Sequence, residues 1–139
     1  MEKIRITDLA SIEEVEKTPF AERFDIRNTY EMIKKGAMID PDAPAISFIL
    51  SGDRYEAPVR ITYREFLRKI NQTANLLHDL GIGPGDVVSY LLPNLPHTHY
   101  VLWAAETAGV ANPINPMLEP STIADICSIT DVLRRLVST

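Results

Sequence analysis

The sequence predicts an α/β fold, with a partial parallel (βαβ) sheet, flanking helices and an N-terminal β-hairpin. Residues 87–92 and 110–114 are short apolar runs, and a helical pattern with short connections lies between them. The order strand, helix, strand is the βαβ unit, in which the two strands run parallel. The hairpin is predicted because residues 45–50 and 59–62 are typical of strands and are separated by turn-forming residues.

The N-terminal region is mixed and acidic over residues 1–25, where we expect a short helix or a loosely packed arm. A helix is predicted over residues 26–38, because apolar residues recur there at spacings of three and four. Asn28 or Asp25 is expected to cap its start, since either side chain can accept a backbone N–H. We expect residues 26–139 to form one unit behind the arm.

A longer helix is predicted to follow the hairpin. Thr62 and Glu65 form a T-x-x-E capping box, in which each side chain accepts a backbone N–H of the other residue. Gly81 is expected to end the helix in a left-handed conformation. The continuous apolar run 87–92 that follows is typical of a strand covered on both faces. The apolar stripe of the helix is predicted to comprise Phe66, Leu67, Ile70, Ala74, Leu76, Leu77 and Leu80.

The crossover helix is predicted to be capped by Asn94, with Pro96 in its first turn and Gly109 at its end. Its Tyr100 and Trp103 are expected to pack in the core, because this helix must cover a sheet. A last helix is predicted to start at Pro120. The apolar residues that mark this helix are Ile123, Ile126, Ile129, Val132, Leu133 and Leu136.

Composition excludes several classes of protein. The chain has 14 Lys and Arg against 19 Asp and Glu, a net charge of -5, which argues against nucleic acid or an anionic membrane as partner. No integral membrane segment is predicted, since no apolar run reaches the roughly 18 residues of a spanning helix. The N-terminus lacks the apolar core of a secretory signal, and Cys127 is the single cysteine, so a cytoplasmic location is expected. Cys127 lies among isoleucines and is expected to be buried and inert.

The loop at residues 81–86 contains three alternating glycines, a pattern that suggests phosphate binding. However, a dinucleotide-binding loop follows a strand and opens a helix, whereas this loop follows a helix and precedes a strand. Pro84 also removes one N–H donor from the loop. We therefore interpret the loop as a helix stop, a tight turn and a strand entry.

Other candidate sites have simpler explanations. His97 and His99 lie at i and i+2, on different faces of one helix, and we expect them to be solvated rather than to bind a metal. No serine has the G-x-S-x-G context of a hydrolase nucleophile. The acidic pairs are expected to be solvated rather than to form an acid/base pair. We therefore assign no catalytic, cofactor-binding or metal-binding residue. The serines and acidic residues considered are Ser47, Ser51, Ser89, Asp40, Asp42, Glu13 and Glu14.

Five short motifs follow one another in a recognisable order. They are Asp40-Pro41-Asp42-Ala43-Pro44-Ala45, Thr62-Tyr63 with Glu65, Leu80-Gly81-Ile82 with Gly85-Asp86 and Val88, Leu92-Pro93-Asn94, and Ala108-Gly109 with Asn112-Pro113-Ile114-Asn115-Pro116. Together they resemble the early N-terminal region of the adenylate-forming acyl-CoA synthetases of the AMP-binding superfamily, over about residues 26–120.

The resemblance implies a parent enzyme that activates a fatty or other carboxylic acid with ATP, through an acyl-adenylate, to a CoA thioester. ATP, magnesium and CoA serve that family, which uses a Ser/Thr/Gly-rich loop with a lysine and a later lysine from a C-terminal domain. Neither element occurs in the 139 residues, and the tail after Pro120 departs from the family pattern. Residues 26–139 are therefore expected to be a truncated N-terminal subdomain, inactive alone and binding no cofactor itself.

Three hypotheses on function stay open at this point. The first is the inactive N-terminal portion of an acyl-CoA synthetase. The second is a non-catalytic scaffold or self-assembling binding protein derived from that fold. The third is an unrelated small α/β enzyme that uses pocket carboxylates. A parallel sheet cut short exposes an edge and apolar faces, so the chain is also expected to form a homo-oligomer through an exposed sheet edge or apolar face.

Overall fold

The computed structural model describes residues 5–23 and 25–137. Its N-terminal arm contains helices α1 (Leu9–Glu16) and α2 (Phe20–Arg23), and neither has a buried residue. Helix α1 is capped by Asp8, whose carboxylate accepts the Ser11 N–H at 2.8 Å. The expected short helix therefore forms, and its side chains stay at the surface.

Helix α3 (Thr29–Ile39) begins later than the predicted residue 26. Of the two proposed caps, Asn28 is the cap, and its side-chain oxygen accepts the Glu31 N–H at 2.8 Å. Asp25 instead pairs with Lys35 at 2.5 Å. The start was predicted too early because the apolar spacing continues through Ile26, although the chain turns into the helix only at its cap.

The predicted β-hairpin is confirmed. Strands β1 (Pro44–Phe48) and β2 (Val59–Thr62) run antiparallel, with Phe48 opposite Val59, and a short 3-10 turn (Gly52–Arg54) lies in their connection. Strand β1 ends before the predicted residue 50. Ile49 and Leu50 continue the apolar run but belong to the exposed connection, because β2 offers them no partner.

Helix α4 (Tyr63–Asp79) starts at the predicted capping box. Thr62 Oγ1 accepts the Glu65 N–H at 3.2 Å, and Glu65 Oε2 accepts the Thr62 N–H at 3.0 Å. Gly81 follows the helix with a φ of 85°, the predicted left-handed conformation. The predicted apolar stripe is too wide, because Leu76 and Leu80 are mostly exposed.

The βαβ unit is confirmed as strand β3 (Val87–Tyr90), helix α5 (Pro96–Ala108) and strand β4 (Val110–Pro113), with β3 and β4 parallel. Each of the two sheets in the described residues has two strands. Strand β3 ends before the predicted residue 92 and is not covered on both faces, since Ser89 is exposed and Leu91 is 42% exposed. An apolar strand with a single neighbouring strand keeps part of its surface in solvent.

The core lies where helices α3, α4 and α5 meet. The rings of Phe66 and Tyr100 have centroids 5.9 Å apart, and Ile70 between them in sequence is completely buried. Trp103 packs against this cluster, so the predicted core role of Tyr100 and Trp103 is confirmed. Small residues on α5 are also buried and let the neighbouring elements approach closely: Ala104, Ala105 and Ala108.

The predicted last helix is α6 (Pro120–Val137), which contacts β3. Ile123 and Ile126 are half-buried, as an inward face requires. Ile129 is 60% exposed and lies off this face. The other apolar residues that marked the helix have side chains outside the described part: Val132, Leu133 and Leu136.

Candidate functional site

The carboxyl ends of β3 and β4 are the first place to look for a site, because ligands of parallel α/β sheets bind at the carboxyl ends of the strands. The two ends are joined by a hydrogen bond from the Ile114 N–H to the Tyr90 carbonyl oxygen at 3.0 Å. Just beyond, Asn115 Oδ1 accepts the Met117 N–H at 3.0 Å. The Asn112 side-chain amide donates to the Ser89 hydroxyl at 3.0 Å, so these polar groups bond to the chain itself.

The start of α5 faces the same edge, and its cap differs from the prediction. Leu95, not Asn94, occupies the cap position. The Thr98 hydroxyl accepts the Leu95 N–H at 3.4 Å and donates to the Pro93 carbonyl oxygen. Thr98, which lies inside the first turn, therefore accepts the N–H that Asn94 was expected to accept. The sequence pattern does not distinguish between these two residues as the capping side chain.

The two candidate metal-binding histidines are placed apart by α5. His97 is exposed, as predicted, and its ring packs edge-on against Tyr100 with centroids 5.6 Å apart. His99 is half-buried rather than solvated, because it lies toward the inner side of the helix. Among the residues that the structure describes, no three His, Cys, Asp or Glu side chains come together in a way that could hold a metal ion.

The loop at residues 81–86 has the structural role that the sequence predicted. It follows α4 and leads into β3, and the Asp86 carboxylate accepts the Gly83 N–H at 2.8 Å. The Asp86 N–H in turn donates to the Gly83 carbonyl oxygen at 2.9 Å. A loop that donates this N–H to its own carboxylate, and that contains Pro84, does not fit an ATP phosphate group.

The acidic pairs are exposed, as predicted, and have structural partners. Asp40 Oδ1 accepts the Ala43 N–H at 3.1 Å and so closes the turn before β1. Asp42 pairs with Arg64 at 3.2 Å, across the start of α4. In the arm, Glu14 pairs with Lys17 and Glu13 is exposed. The serines considered as nucleophiles are exposed as well: Ser47, Ser51 and Ser89.

Tyr90 and Glu106 lie close to one another at the junction of β3 and α5. Burial, with a smaller contribution from the charge of Glu106, raises the pKa of Tyr90 above its usual value of 10.0. The phenol is therefore neutral at physiological pH. The Glu106 carboxylate accepts the Thr29 hydroxyl at 2.8 Å, which ties the start of α3 to α5. This group of residues is suited to hold the helices in place.

Cys127 is half-buried, so it is less buried than predicted. It lies on α6 beside Ile126, also half-buried, and next to the exposed Ser128. The helix places it at the margin of its inward face. Its expected inertness stays a prediction.

A shallow groove that the sequence analysis did not anticipate lies between the arm and the start of α3. Its volume is about 450 Å³. No short motif marks it, because its walls come from two separate segments, Phe20 of the arm and the start of α3. Its lining is mostly apolar and consists of Phe20, Ile26, Arg27, Asn28, Thr29 and Met32.

Comparison with known proteins decides the family. The family model described as "AMP-binding enzyme" matches residues 33–133. The chain belongs to the AMP-binding enzyme family. The match includes the hairpin, the βαβ unit and most of α6, which are the elements described above.

Relatives with known names agree with this membership. The marinolic acid–CoA ligase of Pseudoalteromonas sp. (strain SANK 73390) is 32% identical over 125 residues, which are 90% of this chain and 19% of the ligase. The acetoacetyl-CoA synthetase of Streptomyces lividans is 30% identical in a structural match that covers 70% of this chain and 15% of the synthetase, with a TM-score of 0.64. The AMP-binding chain described here thus spans about a fifth or less of the length of these relatives.

A third comparison concerns the fold alone. The N-terminal subdomain of Klebsiella oxytoca NpsA, in complex with 3-hydroxyanthranilyl-AMSN, matches 76% of this chain with a TM-score of 0.66 and 20% identity, and the match covers 25% of that subdomain chain. The fold is therefore that of an N-terminal segment of the AMP-binding enzymes. In the part of the chain that the structure describes, no helix has the length and apolar character needed to cross a membrane.

Proposed function

We propose that this chain is the N-terminal portion of an ATP-dependent acyl-CoA synthetase and is inactive as the 139-residue chain. The parent enzyme would activate a carboxylic or fatty acid through an acyl-adenylate and transfer it to CoA. The observation that carries the proposal is the family match over residues 33–133, together with relatives named as CoA ligases and synthetases.

The chemistry of adenylation supports the second half of the proposal. A carboxylate attacks the α-phosphorus of ATP, and the charge on the phosphoryl oxygens must be met by aimed N–H donors, a lysine and magnesium. The sequence contains no Ser/Thr/Gly-rich loop with a lysine. The glycine loop that it does contain donates the Gly83 N–H to Asp86. ATP, magnesium and CoA would therefore be held by residues other than those of this chain.

Carboxylate-dependent exchange of pyrophosphate into ATP tests the proposal directly. The 139-residue chain is assayed with acetate, acetoacetate and fatty acids of increasing length, beside a full-length acyl-CoA synthetase as positive control. We expect exchange only in the control. Exchange by the short chain that saturates with one acid would refute its inactivity and favour a small enzyme.

The gene supplies the complementary test. The DNA downstream of the Thr139 codon is sequenced and translated in the three forward frames. A Ser/Thr/Gly-rich loop ending in Pro-Lys-Gly in any frame would support the synthetase, and the repaired full-length protein should then show exchange. Absence of such a loop in all three frames would count against the proposal and favour a free-standing scaffold.

A second candidate function is a non-catalytic scaffold that associates with itself. It is favoured by one observation, that both sheets of the described residues have only two strands and so keep outer edges. We propose homo-oligomerisation through such an edge or through an exposed apolar face. We also propose a cytoplasmic location. Fractionation of expressing cells tests it, and we expect the chain in the cytoplasmic fraction.

A further inference from the structure

We draw no further inference here: the strongest candidate, the shallow apolar groove between Phe20 of the arm and the start of α3, carries none because nothing in the structure shows what covers it.

Discussion

Gly109 lies at the junction of α5 and β4, pressed against the loop that leads into β3. A Cβ atom added here would lie 2.5 Å from the Asp86 carbonyl oxygen, 2.7 Å from the Gly83 carbonyl oxygen and 3.3 Å from Ile82 Cγ2. The Asp86 oxygen is held in place by the Val110 N–H at 2.9 Å. Two of the three contacts are thus with backbone atoms of an internally bonded loop, which cannot move as a flexible side chain would.

The expected cost of Gly109→Ala follows from these contacts. Forcing a methyl group into a packed region costs about 1–3 kcal/mol. Lengthening the hydrogen bond between Val110 and Asp86 adds about 1 kcal/mol. Alanine also lowers the conformational entropy of the unfolded chain, which stabilises the folded state by about 0.4–1 kcal/mol. The φ of -161° is extended, so no left-handed strain contributes. We expect the free energy of unfolding to fall by about 2 kcal/mol, with overpacking as the largest contribution.

Urea unfolding measures this loss, with the fluorescence of the single tryptophan, Trp103, and far-UV circular dichroism as two probes. Gly52→Ala is the matched control, because a Cβ atom at Gly52 meets nothing within 4 Å and no positive φ is involved. Gly81→Ala separates strain from crowding, since it has open space but a φ of +85°. A Gly109→Ala variant as stable as the parent chain would refute the steric argument.

Three further predictions concern the helices and pH, and chemical unfolding measures each of them. Thr62→Ala should cost about 1 kcal/mol by removing the cap of α4, whereas Thr73→Ala, in the middle of that helix, should change stability little; equal effects would contradict the capping box. Ile70→Ala, at a fully buried position, should cost about 2–5 kcal/mol, against less than about 1 kcal/mol for Leu76→Ala at a position that is 56% exposed. Burial raises the pKa of Tyr90 above 10.0, so its contribution to stability is complete below pH 10 and is lost as the pH rises through the higher folded-state pKa. Tyr90→Phe should therefore make stability fall less steeply above about pH 10, and an unchanged pH profile would contradict this assignment.

The features predicted correctly from sequence are mostly local. The capping box of Thr62 and Glu65 and the left-handed Gly81 depend on residues within about one helical turn, whose side chains meet their own backbone. The βαβ unit follows from the order of its segments, because a short crossover imposes parallel strands. The structural role of the glycine loop at residues 81–86 also follows from the order of the elements. The loop lies between α4 and β3, so its N–H groups are not at the start of a helix, where they could bind a phosphate.

The predictions that were wrong concern features that depend on contacts between residues far apart in the chain. Strands β1 and β3 end before their apolar runs do, because pairing ends with the partner strand and not with the hydrophobic pattern. Leu76 and Leu80 share the apolar pattern of α4 but stay exposed, since no described element covers them. The cap of α5 was predicted to be Asn94, although it is the Thr98 hydroxyl that accepts the Leu95 N–H. The groove beside α3 was not predicted, because its walls come from separate segments of the chain, Phe20 of the arm and the start of α3.

The sequence by itself determined the class of fold, the caps and turns, and the resemblance to the AMP-binding enzymes, because all three are carried by residue types at short spacings. Only the tertiary structure decided which apolar residues are buried and where each strand ends. Those properties depend on which elements pack together, and burial and sheet pairing are interactions between residues far apart in the chain. The ends of β1 and β3 are the clearest case, since each strand ends where its partner strand ends and not where its own apolar run ends.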